Sequence, residues 1–314
     1  MASTSSMNRV LDTHDGARAR RPLRRPRAAT VTKIAMVAPA MTLFLVFYVA
    51  SIVAGIVLSF YHWDGLDPIR FVGFENYRVL FSDPVFVTNV KVTLVVVGAC
   101  LVCILPLALL LAVCLSGPGR LLPLFRWIVF VPVVLPLAAV ALLWAEIFNP
   151  VGGLANQLVG KLGISPVAWL GDQRVTVWAL VLVSIWSILG LHVVIQLSAL
   201  SAIPTELKEA ARLETPSVWR VFRHVVLPLM RDSLTVSAAL IITGTFVGFT
   251  SLAFVMTRGG PVHSTEVLGL RAYLEGFASL NFGMASAITV ITMLLTIVLV
   301  GVTLFIGSRR RIEY

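Results

Sequence analysis

The chain has 314 residues, of which 58% are hydrophobic and 13% charged, and its mean hydropathy is +0.93. Soluble domains average roughly 45–50% apolar and about 25% charged residues, so the composition excludes an ordinary soluble enzyme and fits a bundle of membrane helices. The net charge of +10 is not gathered on the basic face of a soluble fold, which argues against nucleic acid as a partner.

Residues 1–33 are polar and Arg-rich, and Pro22 and Pro26 interrupt any helix there. They read as a disordered cytoplasmic tail and not as a cleavable signal peptide. A bilayer core of about 30 Å takes roughly 20 apolar residues as a helix. Six runs meet that test: 34–60, 92–115, 121–148, 175–200, 234–256 and 283–306. The expected fold class is therefore an all-α polytopic membrane protein with six transmembrane helices. Pro39, Pro106, Pro132 and Pro136 lie inside these runs. Neighbouring helices can re-satisfy the freed carbonyls, so kinks are expected and breaks are not. Cys100, Cys103 and Cys114 all fall in the second run. The Cys-x-x-Cys spacing there has no His nearby and reads as small apolar packing.

Positive charge orients the bundle. Of the 25 Lys and Arg, 18 lie in the tail, 116–126, 199–232 and 307–314, and 7 lie in the alternate loops. Both termini are thus expected on the cytoplasmic side. The expected organisation is a tail at 1–33, a membrane domain at 34–307 with a cytoplasmic loop at 201–232, and a basic terminus at 308–314. No nucleotide-binding motif is present. Gly160-Lys161 comes nearest, but Ala155 stands where the first Gly of a phosphate loop belongs and Leu162 where Ser or Thr belongs. The chain is not expected to be an enzyme. If it pumps, the energy comes from a partner or an ion gradient.

The loop at 201–228 is the most informative segment. Pro204 suits the first turn of a helix, and Glu206 and Glu209 then sit near its positive end. Ala210 and Ala211 permit close approach of another protein. Pro216 ends the piece, and a second helical piece over 217–226 carries Trp219, Phe222 and Val226 as an apolar stripe. Physics alone leaves two readings, a basic connector lying on the membrane surface or a docking element.

The order Ile203-Pro204, Glu209-Ala210-Ala211, Glu214, Trp219/Phe222 and Leu227-Pro228 resembles the EAA loop of binding-protein-dependent ABC importer permeases. Where that family usually has Asp-Gly-Ala after the Ala pair, this chain has Glu214-Thr215-Pro216, so the turn must form without the Gly. Phe71-Val-Gly73-Phe-Glu-Asn76-Tyr77, Gly153-Leu154-Ala-Asn156 and Thr257-Arg-Gly259-Gly260-Pro261 with Ser264-Thr265 follow in the same order as in the carbohydrate-uptake class of that family. The chain resembles the maltose-type and glycerol-phosphate-type first permease subunit.

The resemblance implies a type I ABC importer permease fold in a prokaryotic cell membrane, with several partners. These are a second permease, two copies of an ABC ATPase, an extracytoplasmic solute-binding protein and membrane lipid. ATP and Mg would belong to the ATPase and no cofactor to this chain. The coupling residues would be Glu206, Glu209, Ala210, Ala211, Glu214, Thr215, Trp219, Phe222 and Pro228. Intramembrane polar and aromatic residues offer a sugar path: Trp186, His192 and Gln196 in the fourth run, and Phe246, Phe249, Thr250 and Ser251 in the fifth. For the hydroxyls the alternative is bonding back to their own helix, and for His192 and Gln196 an interhelical hydrogen bond. A non-sugar solute such as a phosphate ester fits the same machine. An ion-coupled carrier would need intramembrane acids, and only Glu146 comes near.

Overall fold

The computed structural model describes residues 27–215 and 217–308. The tail before Arg27 and the basic residues after Ser308 lie outside the described residues. Two units are distinct, ending and beginning at Ile52 and Val53. In the first, α1 (Arg27–Phe44) passes through a π turn (Leu45–Val49) into α2 (Ala50–Leu58). Helix thus begins inside the segment read from sequence as tail, and from Ile34 on its large apolar side chains are exposed.

The second unit continues with a two-stranded antiparallel ribbon, β1 (Tyr61–His62) and β2 (Arg70–Phe71). At its tip the Asp64 carboxylate accepts from the N–H groups of Asp67 at 2.8 Å and Leu66 at 3.0 Å. These bonds hold its pKa below the usual carboxylate range. Helix α3 (Glu75–Ser82) follows, and the sequence motif around it has a structural reading. Asn76 Nδ2 donates to the carbonyls of Ser59 and Tyr61 at 2.8 and 2.9 Å, and the Tyr77 hydroxyl donates to Ser59 Oγ at 2.7 Å. The Gly-x-x-Asn-Tyr segment thus ties the end of α2 to the ribbon.

Helix α4 (Pro84–Leu115) starts eight residues before the apolar run that announced it. Asp83 caps it by accepting from Val85 N–H at 2.9 Å, with Pro84 in the first turn. The polar first turns are used inside the protein: buried Asn89 donates to the Glu266 carbonyl at 2.7 Å, and Leu268 N–H donates to Thr93 Oγ1 at 3.0 Å.

The third run is not one helix. It forms α5 (Leu122–Val134) and α6 (Leu137–Ile147), which meet at 101°. The Pro136 ring would meet the carbonyl four residues back, and it drives Leu135 out of the helical region to φ −77°, ψ 136°. The expectation of a mere kink is corrected here. A short α7 (Leu154–Lys161) leads to α8 (Thr176–Ala202).

The loop after α8 holds α9 (Thr205–Glu214), α10 (Val218–Val221), a π turn (Phe222–Val226) and α11 (Leu227–Leu229). Then come α12 (Arg231–Met256), α13 (Leu268–Tyr273), a third π turn (Leu274–Ala278) and α14 (Phe282–Ser308). Five described helical spans are long and apolar enough to cross a membrane, and the bent α5–α6 pair makes six if counted as one.

Helices α8 and α12 are central to this unit, each packing on α4, on α6 and on the other. Their shared core joins Val96, Cys100 and Ile104 of α4 to Leu180 of α8 and to Ile241 and Phe249 of α12. Cys100 is buried there as a free thiol. Close packing uses missing side chains: a Cβ on Gly190 of α8 would strike the Val129 carbonyl of α5.

Candidate coupling loop and transport path

The loop begins where α8 runs out. Ile203 precedes a proline and is extended (φ −73°, ψ 122°), and Pro204 turns the chain into α9. Helix α9 carries Glu206 in its first turn, where the helix dipole favours an acid. Glu206, Glu209 and Ala210 are exposed, and Ala211 is half-buried. Leu213 is 90% exposed, an apolar side chain presented to whatever meets this helix. The side chain of Glu214 and all of Pro216 lie outside the described residues. Thr215 ends the helix in an extended conformation (φ −150°, ψ 131°), its N–H donating to the Ala211 carbonyl at 3.2 Å. The turn is therefore reached without the positive φ that a Gly would supply. Ser217 then restarts helix by accepting from Arg220 N–H at 3.3 Å.

The second piece is the anchor. Val221 and Val226 are buried, and Phe222 packs against a cluster of Leu200, Ile203, Val226 and Met230, with Leu109 of α4 alongside. The buried pair is spaced i, i+5 because the π turn inserts an extra residue. Pro228 supplies the reason. It has no N–H to give His224 in an α-helical turn, and the Leu227 N–H reaches back to Phe222 instead. Pro228 itself lies inside α11. Trp219 stacks on Phe222 with ring centroids 5.7 Å apart, but it is 65% exposed.

The residues proposed from sequence for a sugar path do not form one surface. In α8, Trp186 meets Trp144 edge-to-face at 5.6 Å, in a row that runs on to Phe148 and Trp169. Gln196 is fully buried and joins α8 to α12: its Nε2 donates to Ser237 Oγ at 2.8 Å and its Oε1 accepts from Ser233 Oγ at 3.0 Å. His192, one turn away, is 1% exposed, and its Nδ1 has no hydrogen-bond partner among the described residues. Phe249 is in the core. Thr250 and Ser251 donate back to the carbonyls of Phe246 and Val247.

Phe246, by contrast, lines a cleft of 450 Å³ between α12, α13 and α14, with Val247, Gly269, Thr289, Thr292 and Thr296. The threonines of α14 were missed from sequence. Their signal was a spacing of i, i+3, i+7 on an apolar helix. Each hydroxyl donates to a carbonyl four residues back at 2.8 Å, which leaves only acceptor lone pairs for anything in the cleft.

The segment after α12 is clasped by its own motif. Thr257 and Thr265 hydroxyls meet at 2.7 Å, Thr265 Oγ1 donates to the Gly260 carbonyl at 2.9 Å, and Gly259 takes φ +88°. Below it Arg271 joins three carboxylates: Asp83 at 3.2 Å, Glu266 at 3.4 Å and Glu275 at 2.9 Å. His263 contacts the other oxygen of Glu266.

With this geometry in view, the chain was compared with known proteins. It is 32% identical to a probable ABC transporter permease of Pyrococcus horikoshii, over 83% of this chain and 90% of that protein. It is 29% identical to the permease of a diacetylchitobiose uptake system of Streptomyces coelicolor, over 82% of this chain and 77% of that protein. Among solved structures, a bacterial alginate ABC transporter in complex with an alginate pentasaccharide-bound periplasmic protein superposes with a TM-score of 0.78 at 21% identity, covering 90% of this chain and 96% of that one. At that identity it shows the fold, which is that of an ABC importer permease. The family model for binding-protein-dependent transport system inner membrane components matches residues 104–312, which include the whole loop and four of the long apolar helices in whole or part. A multi-pass inner membrane protein with these helices, this loop and these relatives belongs to that family of ABC transporter permease components.

Proposed function

We propose that this subunit forms half of an import path for a sugar or sugar derivative, driven by an ATPase that grips α9 from the cytoplasm. One observation carries the reading. Helix α9 projects Glu206, Glu209, Ala210 and Leu213 outward, while the piece behind it is fixed by Phe222 and Val226 to the inner ends of α4 and α8. A short helix on a packed base transmits a rigid-body push, and alternating access needs a device of that kind. Glu209 is the charged contact, and Ala210 and Ala211 allow the partner's backbone to come close.

The reading includes a second permease across the path, two copies of the ATPase with their ATP and Mg, and a solute-binding protein on the outer face. It places the tail 1–33, the loop 201–232 and the residues after 307 in the cytoplasm. A sugar is favoured by the diacetylchitobiose and alginate systems among the proteins most like this chain.

The test is uptake in vesicles holding the full complex. Glu209→Lys is expected to abolish ATP-driven uptake while the protein remains in the membrane at its normal level. Normal uptake by that variant, or uptake driven by a proton gradient without ATP, overturns the proposal.

A further inference from the structure

At the inner end of the bundle a cleft of 560 Å³ opens between α4 and the helix that backs the coupling loop. Its walls are Pro106, Leu110 and Val113 on one side and Val218, Trp219 and Phe222 on the other. None of these side chains carries a charge, and Val218 and Trp219 are 77% and 65% exposed. The chain segments next to the two walls are rich in Arg. The residues 116–126 that follow α4 contain Arg120 and Arg126 and no acid, and the residues 217–231 contain Arg220, Arg223 and Arg231 and no acid. Arg126 donates twice to the Leu115 carbonyl, at 3.1 and 2.6 Å, which fixes its charge at the end of the wall helix. Arg223 lies four residues after Trp219, on the same side of the helix, and is exposed.

We propose that this cleft is a binding site for an anionic phospholipid of the inner leaflet. An acyl chain fills the apolar slot between α4 and Trp219, and the headgroup phosphate sits between Arg223 and Arg126, which flank it from the two walls. A zwitterionic lipid satisfies the slot but not the rim. A juxtamembrane Arg near an anionic surface contributes enough to shift binding about fivefold, so the headgroup decides occupancy. The lipid wedges directly behind the base of α9, and anionic lipid therefore stiffens the lever. The inference rests on the inward orientation of the 201–232 loop proposed above.

The test uses the full-length chain, purified with the subunits that accompany it, in phosphatidylcholine vesicles. Brominated acyl chains are carried either on phosphatidylglycerol or on phosphatidylcholine, and the signal is the fluorescence that Trp219→Phe removes. Brominated phosphatidylglycerol is expected to quench at a several-fold lower mole fraction than brominated phosphatidylcholine. Arg223→Gln is expected to erase most of that preference while quenching by phosphatidylcholine persists. As a second measurement on unaltered protein, raising the salt is expected to shrink the preference.

Equal quenching by the two lipids overturns the proposal. Quenching by neither also overturns it, because protein then covers the cleft, either the N-terminal helix or a partner permease. The measurement involves neither ATP nor solute, so a failure here is separate from a failure of Glu209→Lys to block uptake.

Discussion

Gln196 of α8 donates to Ser237 Oγ of α12 at 2.8 Å and accepts from Ser233 Oγ of the same helix at 3.0 Å, all at a fully buried position. The amide acts as a cross-brace between the two central helices. Interhelical hydrogen bonds of membrane proteins average about 0.6 kcal/mol and reach roughly 1.7. Gln196→Leu is expected to lower the thermal unfolding temperature of the purified complex modestly. If the amide instead held solute, the variant would raise the KM of uptake without lowering stability.

Phe222 separates anchoring from surface contact. It packs into the cluster at the C-terminal ends of α4 and α8, whereas Trp219, stacked upon it, is largely exposed. Truncating a buried Phe costs about 3–5 kcal/mol, and a half-buried one less. Phe222→Ala is expected to lower the unfolding temperature and the uptake rate together. Trp219→Ala is expected to leave the unfolding temperature nearly unchanged. Equal losses in both measurements for the two variants would show that the anchor is misassigned.

Arg271 joins three carboxylates, and Glu266 among them is only 3% exposed. Removing the cation leaves acids facing one another from the start of α4, the loop before α13 and the π turn after it. Only Glu266 is buried, so the cost falls below the about 3–5 kcal/mol of a fully buried pair. Arg271→Met is expected to loosen this end of the bundle first, seen as increased hydrogen exchange in 83–90 and 257–282. Arg271→Lys recovers only part of the protection, because an ammonium lacks the planar fork that reaches several partners.

Gly190 and Gly244 make a matched pair. An added Cβ at Gly190 would collide with the backbone of Val129 and Phe130, while at Gly244 it meets nothing within 4 Å. Gly190→Ala is expected to push α5 off α8 at a cost of about 1–3 kcal/mol. Gly244→Ala is expected to be neutral or slightly stabilising, since Ala is the better helix former. Thermal unfolding of the two variants decides it.

Hydrophobic length made the long helices legible before any coordinates, because lipid accepts little else. The places where that reading fell short each have a cause. Thr88, Asn89 and Lys91 hid the first turns of α4, since polar residues at the start of a helix look, in sequence, like loop. Pro136 was read as a kink, but Leu135 ahead of it had no helical conformation left, and the chain broke. The π turn before Pro228 escaped notice because five residues are too few to display a period. Of the path candidates, Gln196 makes the interhelical hydrogen bond that was its alternative reading, and Phe249 lies in the core. Thr289, Thr292 and Thr296 went unnoticed for the opposite reason: by feeding their protons to their own helix they pass as apolar. The loop at 201–228 stood out because its Pro, acids and aromatics mark where α9 starts, which residues on it are exposed and where the next piece packs on the bundle.

The right-angled join of α5 and α6 changes what a movement of this span can accomplish. A straight rod hands an axial shove from one end to the other. At an elbow of 101°, sliding in one arm arrives as sideways sweep in the other. When one limb of this segment is drawn along its own length, the other is therefore carried sideways.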